Sequence, residues 1–199
     1  MGAAAGWGVT KVLSYASSAF SSMRSKFARH ERFDSVEGFV RATNDPAPHT
    51  RYSFGGVDWR TDRLGRLDTV EGPVRLNAVG LNDPVLQRRI GYHGPETDVG
   101  FHVWPDLWGG PTSMVNVVPG NGKSIGDGLR NLNNGDYADF ERKLSTMAAD
   151  PAKQVEARMR LIYDSANPSR RPDLFELSYR VNGGDWSLPQ QMINKWKQH

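Results

Sequence analysis

Hydrophobic and polar residues alternate most cleanly in the last quarter of the chain. Val155, Ala157, Met159, Leu161 and Tyr163 alternate with Glu156, Arg158 and Arg160; Phe175, Leu177, Tyr179 and Val181 alternate with Glu176, Ser178 and Arg180. Successive side chains of a strand point to opposite faces, so both runs predict strands with one apolar and one polar side. Asn182-Gly183-Gly184 turns the chain back toward Trp186, and the sheet reads as antiparallel with one wet face. From Asp136 to Met147 the period lengthens. Tyr137, Phe140 and Leu144 recur at three and four residues, which predicts a helix that Pro151 ends. Earlier, Val57-Asp58-Trp59-Arg60-Thr61 alternates, Leu64-Gly65 punctuates, and Arg66 to Val70 resumes before Gly72-Pro73, as in a hairpin.

Other stretches carry weaker patterns. Residues 43–56 hold Pro46, Pro48, Gly55 and Gly56 and read as a linker or loop. Residues 80–135 are rich in Gly, Pro and Asn and read as mostly irregular, the kind of long run that holds function in a compact protein. Gly120-Asn121-Gly122-Lys123-Ser124 copies part of a phosphate-binding loop. It lacks the first glycine at the right spacing and a buried strand before it, so that reading is excluded. Over residues 1–30, Val9, Leu13, Ala16, Phe20, Met23 and Phe27 fall on one helical face among basic residues and serines, with no Asp or Glu. This predicts an amphipathic helix that packs on the body or joins it to a larger parent. The same composition also matches a transit peptide; a secretory signal fits less well, because Lys11 interrupts the apolar stretch. The expected organisation is therefore a helical extension and linker over 1–50 and a domain over 51–199.

Composition sets outer limits. The 199 residues carry 25 Lys and Arg against 22 Asp and Glu, a net charge of +3, too small to establish polyanion binding. With no cysteine, disulfides, thiolate metal sites and cysteine nucleophiles are all excluded. A mean hydropathy of -0.59 and the lack of a long apolar run predict no membrane span.

Candidate chemistry lies in the irregular middle. Thr97-Asp98-Val99-Gly100-Phe101-His102-Val103-Trp104 sets a histidine between bulky apolar residues, where a structural role competes with catalysis. Trp108-Gly109-Gly110-Pro111, Asn116 to Asn121, Asn131-Leu132-Asn133 and Glu141 follow in order. Together with Arg60 to Arg66, Val70-Glu71-Gly72 and Gln87-Arg88-Arg89-Ile90-Gly91, this series, from about Tyr52 to Gly184, resembles the bacterial DNA/RNA non-specific endonucleases of the ββα-metal fold, in the branch used as polymorphic toxin domains.

The resemblance implies an α+β fold with a ββα-metal nuclease core on a mixed or antiparallel sheet. It implies a metal-dependent endonuclease that hydrolyses phosphodiesters of DNA and/or RNA. It also implies a secreted or delivered effector that acts in a target cytoplasm, and a cognate immunity protein that inhibits it. In this reading His102 is the general base, since an imidazole takes a proton at neutral pH. Asn133 holds Mg²⁺ (or Mn²⁺), a hard cation that prefers oxygen and keeps several waters. Glu141, about two turns on if the helix begins near Asn133, orients the ion's waters. Arg88 neutralises the scissile phosphate as a catalytic group. Substrate binding falls to Arg89, Asn116, Asn121 and Trp104, although the two asparagines read on their own as loop scaffolding. Basic residues such as Arg158, Arg160, Arg170 and Arg171 are candidates to track phosphates.

The chain departs from the family pattern at Val99, which replaces an acidic residue, at Phe101, which replaces a glycine, and at Gly120, which replaces a glutamine. Residues 122–130 read as an insertion. Phe101 or Trp104 offers a stacking surface for an unpaired base. The same departures favour an alternative, a catalytically weak or inactive module on the same scaffold that binds nucleic acid or a protein.

Overall fold

A computed structural model describes residues 29–76, 78, 80–122, 132–133 and 135–194; the amphipathic helix expected along Val9 to Phe27 lies outside them. In chain order the elements are β1 (Arg29–Phe33), α1 (Val36–Thr43), β2 (Thr50–Phe54), β3 (Val57–Thr61), β4 (Leu67–Pro73), α2 (Pro84–Gly91), β5 (Asp98–His102), a 3-10 turn (Asp106–Trp108), β6 (Val117–Asn121), α3 (Asp136–Ala148), β7 (Val155–Ile162), β8 (Leu174–Val181) and β9 (Gln190–Ile193). Seven strands form one sheet in the order β1-β2-β3-β4-β7-β8-β9, while β5 and β6 form a separate two-stranded ribbon. Only the β1–β2 pair is parallel, so the sheet is mixed and the fold is α+β.

The alternation read from the sequence decides the two faces of the sheet. Tyr52 lies opposite Trp59, Trp59 opposite Val70, Val70 opposite Met159 and Met159 opposite Leu177, giving one continuous buried row. Against this face pack Phe39 of α1, Phe101 and Val118 of the ribbon, and Tyr137, Phe140 and Leu144 of α3. Burial of each large apolar side chain stabilises the fold by roughly 1.5–3 kcal/mol. The opposite face is a lattice of charges. Arg158 bonds Glu71 at 2.8 Å, Arg160 bonds Glu176 at 2.7 Å, and Arg180 bonds Glu156 at 2.7 Å.

Three expectations change here. The linker expected over 43–56 contains β2, and β1 and α1 add an edge strand and the fully buried Phe39, so sheet and core run across the boundary placed at residue 50. The stretch 80–135, read as mostly irregular, holds α2, the 3-10 turn and the ribbon among its described residues, set between irregular segments. Pro119-Gly120, between the two asparagines read as loop scaffolding, lies within β6 instead of in a loop. A strand of a two-stranded ribbon has a free edge that tolerates the missing N–H of proline. The insertion expected over 122–130 lies outside the described residues apart from Gly122.

Candidate active site

β5, β6 and α3 follow one another as strand, strand and helix. Within the ribbon Asp98 pairs with Asn121 and His102 with Val117. One ribbon face docks on α3. The Phe101 ring lies 4.6 Å from Tyr137 and 5.8 Å from Phe175, the Tyr137 hydroxyl donates to the Val103 carbonyl, and Trp108 Nε1–H donates to Ser145 Oγ at 2.9 Å. Phe101 is thus a core residue, which explains how a large side chain is accommodated beside the histidine.

The other ribbon face docks on α2. Gly91 and Gly100 permit the approach: a Cβ on Gly91 would come within 2.7 Å of Gly100 N, and one on Gly100 would strike the Gln87 carbonyl. Gln87 Nε2 donates to the Gly100 carbonyl at 2.8 Å. Asp83 caps the helix, its Oδ1 accepting from the N–H groups of Val85 and Leu86 at 3.0 Å each, and Pro84 occupies the first helical position.

His102 alternates with Phe101 and therefore turns to the α2 side of the ribbon. Its Nε2 lies 3.1 Å from Thr112 Oγ1. That hydroxyl also accepts from the Asp83 N–H at 3.1 Å and reaches Asn82 Oδ1 at 3.3 Å. The imidazole is half-buried. Burial lowers its pKa below the ordinary histidine value, and the Asp106 carboxylate pulls the other way. The net effect is an imidazole that stays neutral to lower pH than a solvated one. Thr112, Asn82 and Asp106 were not legible as site residues. They reach His102 through the docking of α2 and the 3-10 turn, which local spacing does not encode.

The remaining candidates divide. Asn133 lies in an exposed turn ahead of α3 instead of on it, because the helix begins at Asp136 with Gly135 as its cap. The turn is held by Leu132, whose N–H donates to the Asn121 carbonyl at 3.1 Å and whose side chain is buried. Glu141 is half-buried on α3, and burial raises its pKa. Among the described residues neither side chain hydrogen-bonds to His102, and Asp106, not Glu141, is the carboxylate that acts on it. Arg88 and Arg89 are exposed on the last turn of α2, and neither meets a carboxylate among the described residues. His93 is exposed.

Several candidates for substrate contact are structural. Asn116 is fully buried: Oδ1 accepts from Trp59 Nε1–H at 3.0 Å and from the Trp104 N–H at 2.9 Å, while Nδ2 donates to the carbonyls of Trp104 and Pro111 at 3.0 Å each. Trp104 has no exposed surface and cannot present a face to a base in this conformation. Asn121 is buried and its Oδ1 finds no hydrogen-bond partner among the described residues. The four arginines expected to track phosphates are engaged within the protein. Arg158 and Arg160 pair across the sheet, Arg170 donates to the Met114 carbonyl at 2.8 Å, and Arg171 grips Asp98 with Nε at 2.6 Å and Nη2 at 3.0 Å. Arg171 also donates to Asn194 after β9, from Nη1 to its carbonyl at 2.7 Å and from Nη2 to its Oδ1 at 3.2 Å, and that Oδ1 accepts from the Asn121 N–H at 2.9 Å. The Asp98 that opens the histidine motif thereby anchors the ribbon to the far edge of the sheet.

The chemistry of the available donors bears on a metal. No cluster of three or more His, Asp or Glu capable of holding an ion occurs among the described residues. The Asn133 amide is exposed and makes no hydrogen bond among them. A single neutral oxygen donor of this kind fits a hard ion that retains most of its water, and does not fit zinc, which takes several nitrogen or sulfur ligands.

The family model described as DNA/RNA non-specific endonuclease matches residues 48–183. The chain belongs to that family. It is an endonuclease with nucleic acid as its substrate. Two crystal structures of NucA from Streptococcus agalactiae are also similar to this endonuclease. The metal-free form is 17% identical, with 70% of this chain and 71% of that chain covered at a TM-score of 0.43. The magnesium-bound form is 15% identical, with 70% and 72% covered at a TM-score of 0.44. No curated protein matches the endonuclease significantly. Among its described residues no helix is long and apolar enough to cross a membrane.

Proposed function

We propose that this endonuclease cleaves DNA and/or RNA with His102 as general base. The observation that carries the reading is the half-buried imidazole at the end of β5, held by Thr112 and kept neutral by burial. In the tautomer with its proton on Nε2, His102 donates to Thr112 and leaves the Nδ1 lone pair to take a proton from the attacking water. Thr112 has a fixed position because Asp83 N–H and Asn82 Oδ1 hold it. Asp106 stabilises the imidazolium that forms. Asn133 would hold Mg²⁺ or Mn²⁺, with Glu141 ordering solvent nearby. When bound, the ion supplies neutralisation of charge on the phosphate and the leaving oxygen. Arg88, on the outer side of α2, would neutralise the scissile phosphate, and Arg89 beside it would hold a neighbouring one.

Burial of Phe101 in the core supports the catalytic reading over the inactive module, because the departure from glycine packs away from the imidazole. We further propose that the domain serves as the toxin of a delivered effector, acts in the target cytoplasm and is inhibited by a cognate immunity protein. Plasmid and RNA are incubated with the protein in Mg²⁺ or EDTA. Cleavage that requires the metal and falls at least tenfold in Asn133→Ala supports the reading. Cleavage that persists in EDTA, or undiminished in that variant, removes the metal assignment. Expression in a bacterial host that halts growth supports the toxin role, and unimpaired growth at high expression argues against it.

A further inference from the structure

The outward side of α2 is a stripe: Val85, Arg88, Arg89 and Tyr92 stand at positions i, i+3, i+4 and i+7. The helix turns Gln87, Ile90 and Gly91 to the ribbon, so the stripe faces solvent. Val85 is 64% exposed and Tyr92 74% exposed. Tyr92 is the one exposed aromatic among the described residues; Phe101, Trp104 and Trp108 are buried, and Trp186 is covered by the guanidinium of Arg158 at 3.9 Å. Most guanidiniums near the sheet meet a carboxylate, whereas Arg88 and Arg89 meet none among the described residues.

The stripe has a direction. Its amino end begins at Asp83, whose backbone N–H bonds the Thr112 hydroxyl that holds His102. Its far end, Tyr92, lies seven residues beyond Val85, or roughly 10 Å along the axis at a rise of about 1.5 Å per residue. Two unpaired guanidiniums followed by a bare aromatic ring is the combination that follows a single strand, with cations on the phosphates and the ring under a base. In a duplex every base face is already stacked, so a side-chain ring gains little there.

We propose that Tyr92 is a base-stacking residue which, with Arg88 and Arg89, holds an unpaired segment of nucleic acid leading to His102, and so favours single-stranded over duplex substrate. This rests on the placement of the reaction at His102. The test reads binding without cleavage. The full chain carrying His102→Ala is titrated in EDTA against a fluorescein-labelled single strand and against the duplex of the same sequence, and anisotropy is followed. Tyr92→Ala in that background is expected to weaken single-strand binding about tenfold while duplex binding changes less than twofold. Tyr92→Trp is expected to restore single-strand binding. Single-strand affinity within twofold after Tyr92→Ala overturns the proposal, as does an equal loss on both substrates or a failure of Tyr92→Trp to rescue. The catalytic reading fails separately, if His102→Ala cleaves at the parental rate in Mg²⁺.

Discussion

The polar face of the seven-stranded sheet and the outer side of α2 are both rich in arginine, yet they use it in opposite ways. On the sheet, Arg158, Arg160 and Arg180 each meet a carboxylate on a neighbouring strand, at 2.8, 2.7 and 2.7 Å. Arg158 and Arg180 also lie over the Trp186 ring, at 3.9 and 4.8 Å. On α2, Arg88 and Arg89 stand exposed with no such partner among the described residues. A guanidinium already paired with a carboxylate attracts a phosphate weakly, because the incoming charge must compete with the resident one. An unpartnered guanidinium gives up only water. Counting basic residues therefore overestimates the nucleic-acid surface of this protein; sorting them by partner removes the sheet arginines and keeps Arg88 and Arg89 on the helix that packs beside the His102 ribbon.

The comparison breaks most visibly at Arg171. If it is scaffolding, Arg171→Ala leaves Asp98 buried without its cation and destabilises the fold by about 3–5 kcal/mol, read from urea denaturation. A variant that keeps its stability but loses nucleic-acid affinity would move Arg171 to the binding group. Next in size is the double variant Arg88→Ala with Arg89→Ala. Its stability should be unchanged, its affinity for nucleic acid should fall, and the slope of log K against log salt should shrink by about 1.4–1.8, the value for two lost phosphate contacts. An unaltered slope would mean that these arginines touch no phosphate. The smallest effect is expected from Arg158→Ala. The loss removes the pair with Glu71 and the contact over Trp186 together and costs about 1–2 kcal/mol, and the salt slope of binding should not change.

Much of this architecture was legible where burial alternates with exposure. β7, β8 and α3 follow their sequence patterns nearly residue for residue, because each has one face on the core. The Asn182-Gly183 turn also behaves as read, both residues having positive φ. β2 was hidden behind the prolines and glycines that flank it. α2 carried a usable signal, an Asp83 cap followed by Pro84, which an inspection for apolar periodicity passes over. In the site, motif order singled out His102, but the meaning of its neighbours depended on packing. Asn116 and Trp104 bear the polar and aromatic groups a substrate would use, and the fold spends them on each other and on Trp59. Thr112 gained its role by lying under the capped end of α2, ten residues from the histidine it holds. Tyr92 is identified only by its exposure, as the one exposed aromatic ring among the described residues.

The most direct test of the account is the pH dependence of kcat/KM for cleavage of a short oligonucleotide, measured for the parent protein and for His102→Ala. A base whose pKa is depressed by burial remains competent below the pH at which an ordinary histidine protonates. The acidic limb of the parent should therefore fall below about pH 6.5. His102→Ala should lose that limb and run about a thousandfold slower at neutral pH. A variant that cleaves within twofold of the parent, with the same acidic limb, would contradict the assignment of His102 as the base.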